Sequence, residues 1–244
     1  MLKQSVFTIL CALLFLTCNE ETPGPNVVTP NDSLNKIMPL GASRVEGARP
    51  DFESYRYELW KRLVDGGWEF DFIGTMKDES AYPAHQAMNF DTDHEGRGGW
   101  TSGQILDGLN GWLNQTGAPD VVLFSSPGGN DALQNLSYEE AVSNINQIID
   151  RLQAANPNIT IIIEQMAPAM TEEMTPTLTT YFEQMQEEVI LIAQAQSTDS
   201  SIVIPVDMYT GFGDSLLADP VHYNEAGASF IADRYYAKLV DVLQ

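Results

Sequence analysis

The chain has 244 residues, of which 43% are hydrophobic, and its 34 acidic and 12 basic side chains give a formal net charge of −22. This excess of negative charge argues against nucleic acid and anionic membrane surfaces as electrostatic partners and favours neutral substrates. About 210 residues remain after a short leader and tether, which suits one α/β domain with a full core.

The N-terminal segment has the pattern of a signal peptide. A mostly apolar run from Val6 to Leu16 is too short to span a membrane and ends at Cys18. Leu16-Thr17-Cys18 resembles the cleavage box of bacterial lipoproteins, which would place a lipid on Cys18. We therefore expect a leader over 1–18 and a lipid-anchored protein at the outer membrane or cell surface of a bacterium, with plain secretion as the alternative.

Residues 19–34 form a predicted tether between the leader and the domain. They contain proline, glycine, asparagine and serine without apolar periodicity, which indicates a flexible linker. The only two cysteines of the sequence, Cys11 and Cys18, lie in the leader. The domain over 35–244 therefore has no disulfide to form and no thiol chemistry.

The domain alternates candidate strands with candidate helices. Short apolar or β-branched runs predict five strands, over 36–40, 69–73, 121–124, 160–164 and 202–206. Apolar residues at helical spacing predict helices between and after them, over 52–63, 105–112, 142–152, 181–192 and 231–242. Ser137 and Glu140 form a capping signature before the third helix. This alternation predicts a parallel sheet with right-handed crossovers, covered on both faces.

Polar residues follow several of the predicted strands. Ser43 follows the first strand, the Gly99 region the second, Asn130 the third, and Asp219 and His222 the fifth. Ligands of parallel α/β sheets bind beyond the carboxyl ends of the strands. We therefore expect these four segments to converge on one edge of the sheet.

Three of these residues carry the groups of nucleophilic acyl transfer. A serine, an imidazole base and a carboxylate that orients the base form a known catalytic arrangement, here supplied by Ser43, His222 and Asp219. Taken singly, Ser43 is also compatible with a helix cap, and Asn130 with a turn. The order of the residues behind the predicted strands favours a serine hydrolase.

Four sequence blocks resemble those of the SGNH hydrolases, also called the GDSL-like family, over nearly all of 35–244. The blocks are Ile37–Ser43, Gly98–Thr101, Gly128–Asp131 and Asp219–His222. The resemblance implies a three-layer α/β/α fold of the flavodoxin-like type, with a five-stranded parallel sheet. It implies neither a cofactor nor a metal.

The resemblance also implies a role for each matched residue. Ser43 would be the nucleophile, His222 the base and Asp219 the acid that orients the base. The backbone N–H groups of Ser43 and Gly99 and the side-chain amide of Asn130 would form the oxyanion hole.

One position departs from the family pattern, because Ala42 stands where the family has an aspartate before the nucleophile. We interpret this change as altered support for the turn, with a catalytically inactive binding protein as the alternative. Segments 71–74 and 94–100 resemble the carbohydrate-esterase branch of the family, acetylxylan esterases among them, more than the lipase branch.

Three further side chains are candidates for substrate binding. Arg44 adjoins the serine and can contact substrate or pair with one of the many carboxylates. Trp100 can stack on a sugar ring or anchor the next helix, and Met166 can border the acyl pocket or pack in the core. The polar cluster at 91–95 is interpreted as a solvated loop rather than a cation site, because the triad needs no metal and the spacing fits no calcium loop.

The sequence as a whole predicts a serine esterase that removes acetyl or other short acyl groups, most suitably from a carbohydrate, through an acyl-enzyme intermediate. A lysophospholipase or thioesterase with a longer apolar groove is one alternative, and a non-catalytic glycan-binding protein is the other. We expect no obligate protein partner, and contact with a membrane only through the lipid anchor.

Overall fold

The computed structural model describes residues 34–244. The predicted leader, Cys18 and all of the tether except Leu34 lie outside the described residues. The strands are β1 (Lys36–Gly41), β2 (Asp71–Phe72), β3 (Met76–Lys77), β4 (Asp93–Gly96), β5 (Val121–Phe124), β6 (Thr160–Gln165) and β7 (Ile202–Asp207). The α-helices are α1 (Ser43–Glu46), α2 (Tyr55–Asp65), α3 (Ser102–Thr116), α4 (Gly129–Leu133), α5 (Tyr138–Ala155), α6 (Pro176–Gln196) and α7 (Glu225–Leu239), and a 3-10 turn covers Asp214–Leu216.

The strands form one mostly parallel sheet in the order β3-β4-β1-β5-β6-β7. β1 pairs in parallel with β4 and β5, and β6 pairs in parallel with β5 and β7. β2 pairs with the start of β1, on the edge that β4 occupies further along, and β3 is antiparallel to β4. The predicted α/β class is confirmed, with two strands more than the five expected.

β4 corrects the interpretation of residues 91–95 as a solvated loop. His94 and Glu95 are 1% and 0% exposed, and Glu95 pairs with Leu40 of β1. Glu95 can be buried in this strand because polar partners satisfy its carboxylate: Arg97 lies 2.6 Å from it and the Thr75 N–H donates to it at 2.8 Å. The Gly99 region therefore follows β4, not the second predicted strand.

Helices cover both faces of the sheet. Helices α3, α5 and α6 pack on the face that carries Met38, Leu40, Val122 and Phe124, while α2 and α7 pack on the opposite face. The alternation of buried side chains along β1 and β5 follows from the two-residue period of a strand. Within residues 34–244, no helix combines the length and the apolar character that crossing a membrane requires.

Two glycines let the short helix α1 approach the sheet closely. A Cβ on Gly41 would lie 2.9 Å from Val45 Cγ2 and 3.0 Å from the Ser125 carbonyl oxygen. A Cβ on Gly96 would lie 2.4 Å from the backbone nitrogen of Glu46. Because these neighbours are mainly backbone or fully buried atoms, larger residues would push α1 away from β1 and β4.

We expect Gly96→Ala to lower the free energy of unfolding by about 1–3 kcal/mol, because the added methyl group meets the backbone of α1. Gly111→Ala is the matched control: Gly111 is exposed in α3, has open space at its Cβ position, and should gain up to about 1 kcal/mol. Urea unfolding of both variants measures the difference. A Gly96→Ala variant as stable as the wild type would contradict this packing.

Candidate active site

Ser43, His222 and Asp219 form a continuous chain of hydrogen bonds at the carboxyl edge of the sheet. The Ser43 Oγ atom lies 2.8 Å from His222 Nε2, although the two residues are 179 positions apart. On the other side of the ring, His222 Nδ1 lies 2.7 Å from Asp219 Oδ2. The structure thus brings together the three residues that the sequence nominated, in the predicted order.

The Asp219 carboxylate is held by backbone donors as well as by the imidazole. Its Oδ1 atom accepts the N–H groups of Val221 at 2.9 Å and His222 at 2.8 Å. Burial alone would raise the pKa of Asp219, but the Val221 N–H and the hydrogen bonds from His222 outweigh burial and hold this pKa below its usual value. Asp219 is therefore ionised at neutral pH. As an acceptor facing His222 Nδ1, it favours the tautomer of His222 that carries its proton on Nδ1.

The ring of Phe52 covers one face of the His222 imidazole. The ring centroids are 3.8 Å apart and the planes differ by 12°. The sequence pattern assigned Phe52 to the next helix, but α2 begins at Tyr55 and Phe52 lies before it. Its contact with His222 was not predicted, because nothing in the local pattern distinguishes this aromatic residue from a core residue.

The Gly99 and Asn130 segments are tied to each other. The Asn130 Nδ2 atom donates to the Trp100 carbonyl at 2.8 Å, and Gln134 Nε2 donates to the Gly99 carbonyl at 3.0 Å. Gly99 has a φ of 76°, in the left-handed region that favours glycine, and nothing lies within 4 Å of its Cβ position. The two segments therefore form one unit beside the serine.

The turn that carries Ser43 lacks the aspartate expected at position 42 and is held by other side chains. The Ala42 carbonyl accepts the N–H groups of Val45 and Glu46, both at 3.0 Å, but Ala42 has no side-chain cap. The fully buried Arg56 donates to the carbonyls of Val45 at 2.7 Å and Glu46 at 2.9 Å. The Glu46 Oε2 atom in turn accepts the Gly98 N–H at 2.6 Å.

A small pocket opens beside Ser43. Its apolar wall is formed by Leu133, Met166, Ala169, Phe182 and Val221, and its polar wall by Ser43, Arg44, Ser126 and Asn130. Met166 and Phe182 are buried in the core, whereas Leu133 on the same wall is exposed. The structure thus places Met166 in the wall of a pocket, as expected from its position after β6.

Arg44 and Trp100 both make contacts within the protein. The Arg44 guanidinium donates to the backbone carbonyls of Val221 and Ala167, both at 2.8 Å, so these donors are used within the protein rather than offered to a substrate. Trp100 is half-buried against Trp112, with ring centroids 5.7 Å apart. This contact joins Trp100 to α3.

The described residues contain no group of three or more His, Cys, Asp or Glu side chains placed to hold a metal ion.

Comparison with known proteins assigns the chain to a family. The model of the GDSL-like lipase/acylhydrolase family matches residues 63–230, which is more than half of the chain. The chain belongs to this family. A search of curated proteins gives no match.

Several solved structures share the fold. A family 3 carbohydrate esterase from Clostridium thermocellum is 30% identical, with a TM-score of 0.69 over 85% of this chain and 96% of that chain. A carbohydrate esterase of family 3 from Talaromyces cellulolyticus is 28% identical, with a TM-score of 0.73 over 84% of this chain and 96% of that chain. An acetyl esterase solved with an acetate ion gives the same values. This GDSL-like protein is therefore a carboxylic ester hydrolase.

A buried histidine supports the strand that leads to Gly99. The Nδ1 atom of His94 in β4 accepts the Gly96 N–H at 3.0 Å. Burial, together with the positive charges of Arg56 and Arg97, lowers the pKa of His94 to about 3. His94 is therefore neutral in the folded hydrolase at neutral and mildly acidic pH.

We expect this histidine to make the hydrolase sensitive to acid. Below pH about 6.5 the unfolded chain binds a proton at His94 that the folded chain does not, so the free energy of unfolding falls as the pH drops from about 6.5 to about 3. In His94→Asn the Oδ1 atom can accept the same N–H without titrating. Urea unfolding at pH 7 and pH 4 should show a smaller loss in the variant than in the wild type, and equal losses would contradict the assignment.

Proposed function

We propose that this hydrolase is a serine esterase that removes acetyl or other short acyl groups from a carbohydrate ester. The observation that carries the proposal is the chain of hydrogen bonds from Ser43 to His222 at 2.8 Å and from His222 to Asp219 at 2.7 Å. A serine in this arrangement is activated by the adjacent base, and the base is oriented by the carboxylate.

The reaction would proceed through an acyl-enzyme. His222 Nε2 takes the proton of Ser43 as Oγ attacks the ester carbonyl and its C=O bond opens to an oxyanion. The tetrahedral intermediate collapses, and the alcohol leaves with the proton from His222. A water molecule then gives its proton to His222 and attacks the acyl group, which leaves as the free acid while Ser43 regains its proton.

Three neutral donors would stabilise the oxyanion. We assign this role to the backbone N–H groups of Ser43 and Gly99 and to the side-chain amide of Asn130. One amide hydrogen of Asn130 bonds to the Trp100 carbonyl, which orients the group and leaves the second hydrogen for the substrate. Donors that are oriented before the reaction need no reorganisation when the charge develops.

The pocket beside the serine favours a short acyl group. Two residues of its apolar wall, Met166 and Phe182, are 1% and 5% exposed and so belong to the packed core. An octanoyl chain would require these buried side chains to move, whereas an acetyl group would not. This argues for an acetyl esterase over a lysophospholipase or thioesterase.

A polar groove that begins at Glu46, the last residue of α1, suits a hydroxylated alcohol. It is lined by Glu46, Arg49, Lys77, Asp78, Glu79 and Ser80, among others. Glu46, which lines this groove, is in the same short helix as Ser43, and Gly98 lies between their side chains: its Cβ position is 2.4 Å from Glu46 Oε2 and 4.0 Å from Ser43 Cβ. Charged and hydroxyl side chains of this kind bind sugar hydroxyls, and the similar solved structures named as carbohydrate esterases support the same alcohol class.

We further propose that the enzyme acts at the surface of a bacterium, held by a lipid on Cys18. The sequence pattern that ends at Cys18 supports this location.

Hydrolysis of p-nitrophenyl acetate, butyrate and octanoate by the wild type, Ser43→Ala and Asn130→Ala tests the function. We expect the highest kcat/KM on acetate, no activity above background for Ser43→Ala, and a kcat lowered about 10²- to 10³-fold for Asn130→Ala, which loses one oxyanion donor. Ser200→Ala, at an exposed loop serine, is the matched control and should keep full activity.

A maximum at octanoate would instead favour the lysophospholipase or thioesterase, and equal activity in Ser43→Ala would exclude Ser43 as the nucleophile. Saccharide binding that survives Ser43→Ala, without turnover in any variant, would identify a glycan-binding protein on this fold.

A further inference from the structure

Arg44 joins three segments of the site through one buried guanidinium. It follows Ser43 in α1 and is 8% exposed. Its Nε atom donates to the Val221 carbonyl at 2.8 Å, its Nη1 to Ala167 at 2.8 Å and its Nη2 to Pro168 at 3.0 Å. Each nitrogen of the guanidinium therefore holds a different carbonyl.

The positions of these carbonyls relate Arg44 to the chemistry. Val221 precedes His222, so the first hydrogen bond fixes the segment that carries the base. Ala167 and Pro168 lie between Met166 and Ala169, which form part of the apolar wall of the pocket. One side chain thus links the nucleophile helix to both the base and the acyl pocket.

Glu164 holds the segment that begins at Ser126 and leads to Asn130. It is fully buried in β6, and its Oε2 atom accepts the Ser126 N–H at 2.7 Å and lies 3.3 Å from the Ser126 hydroxyl. Arg44 Nη1 lies 3.5 Å from the same hydroxyl. Ser126 has a φ of 46°, uncommon for a residue with a side chain, and it leads into the segment of Asn130.

We propose that Arg44 is a positioning residue of the esterase, and that Glu164 acts with it through Ser126. Arg44 holds the His222 segment and the acyl-pocket wall at fixed distances from Ser43, while Glu164 fixes the chain before Asn130. This inference deepens the proposed function and rests on it. It replaces the substrate-binding role that the sequence suggested for Arg44.

Only an arginine can make this set of bonds. The three carbonyls bond to three different nitrogens of a planar group, whose donors point outward in a fixed fork. A lysine has three donors on one nitrogen and cannot reach carbonyls on separate sides. Arg44→Lys should therefore keep the charge but lose the positioning.

The first test compares the kcat and KM of four proteins on p-nitrophenyl acetate: the wild type, Arg44→Lys, Arg44→Met/Glu164→Gln and Arg62→Met. The double variant removes both charge-bearing groups, so no buried charge is left alone, and the amide oxygen of the glutamine that replaces Glu164 can still accept the Ser126 N–H. We expect kcat to fall about 10²-fold in the first two variants, with KM changed far less, because the reacting groups are misplaced.

Arg62→Met is the matched control. Arg62 also donates to backbone carbonyls, those of Glu58 at 2.8 Å and Ser229 at 3.3 Å, but it touches none of the segments that Arg44 holds. Its loss should lower the melting temperature without changing kcat. A double variant that keeps the wild-type kcat would overturn the inference, whatever its melting temperature.

The second test needs no substrate. Hydrogen exchange followed by mass spectrometry should show residues 167–170 and 219–223 exchanging faster together in the double variant, and neither segment faster in Arg62→Met. Unchanged protection, or a change in only one segment, would overturn the inference. If the wild type hydrolyses no ester, the proposed function fails, and this exchange result alone decides whether Arg44 links the two segments.

Discussion

The hydrogen bond between Ser43 and His222 connects two ends of the domain, and the surrounding structure keeps its two atoms 2.8 Å apart. Neither residue lies in a long element: Ser43 begins the four-residue helix α1, and His222 lies between the 3-10 turn and α7. Such short segments have little stability of their own. Their positions therefore depend on side-chain hydrogen bonds between segments, with Arg44 of α1 and Arg56 of α2 as the main donors.

Those buried arginines stand out in a protein of net charge −22 with only 12 basic residues. Arg44 donates from α1 to backbone carbonyls of the Val221 and Ala167 segments. Arg56 donates to the carbonyls at the C-terminal end of α1, and Arg97 pairs with the buried Glu95. A guanidinium with five donors can satisfy several carbonyls of irregular backbone that no strand or helix satisfies. These three arginines thus support irregular backbone and a polar strand inside the fold, while the acidic excess remains mainly on the surface.

The parts of the fold that the sequence predicts are those with an apolar pattern. β1, β5, β6 and β7 each contain a run of apolar, mainly aliphatic residues, and the predicted helices show regular apolar spacing, so both were identified correctly. β4 was not predicted, because Asp93-His94-Glu95-Gly96 has no apolar residue. Its burial depends on contacts of Glu95 with Arg97 and Thr75, and no periodicity in the sequence reveals these contacts. The triad was predicted from the order of its motifs, whereas the contacts of Phe52 and Arg44 arise only from tertiary structure.

The central claim is that Ser43 is a nucleophile activated by His222. Labelling with a fluorophosphonate, followed by peptide mapping of the wild type and of His222→Ala, tests it most directly, because the reagent forms a stable bond to an activated serine. The account predicts one adduct per wild-type molecule, on the peptide that contains Ser43, and little or none in His222→Ala over the same time. An ester-hydrolysing wild type with no adduct, or with its adduct on another serine, would contradict it.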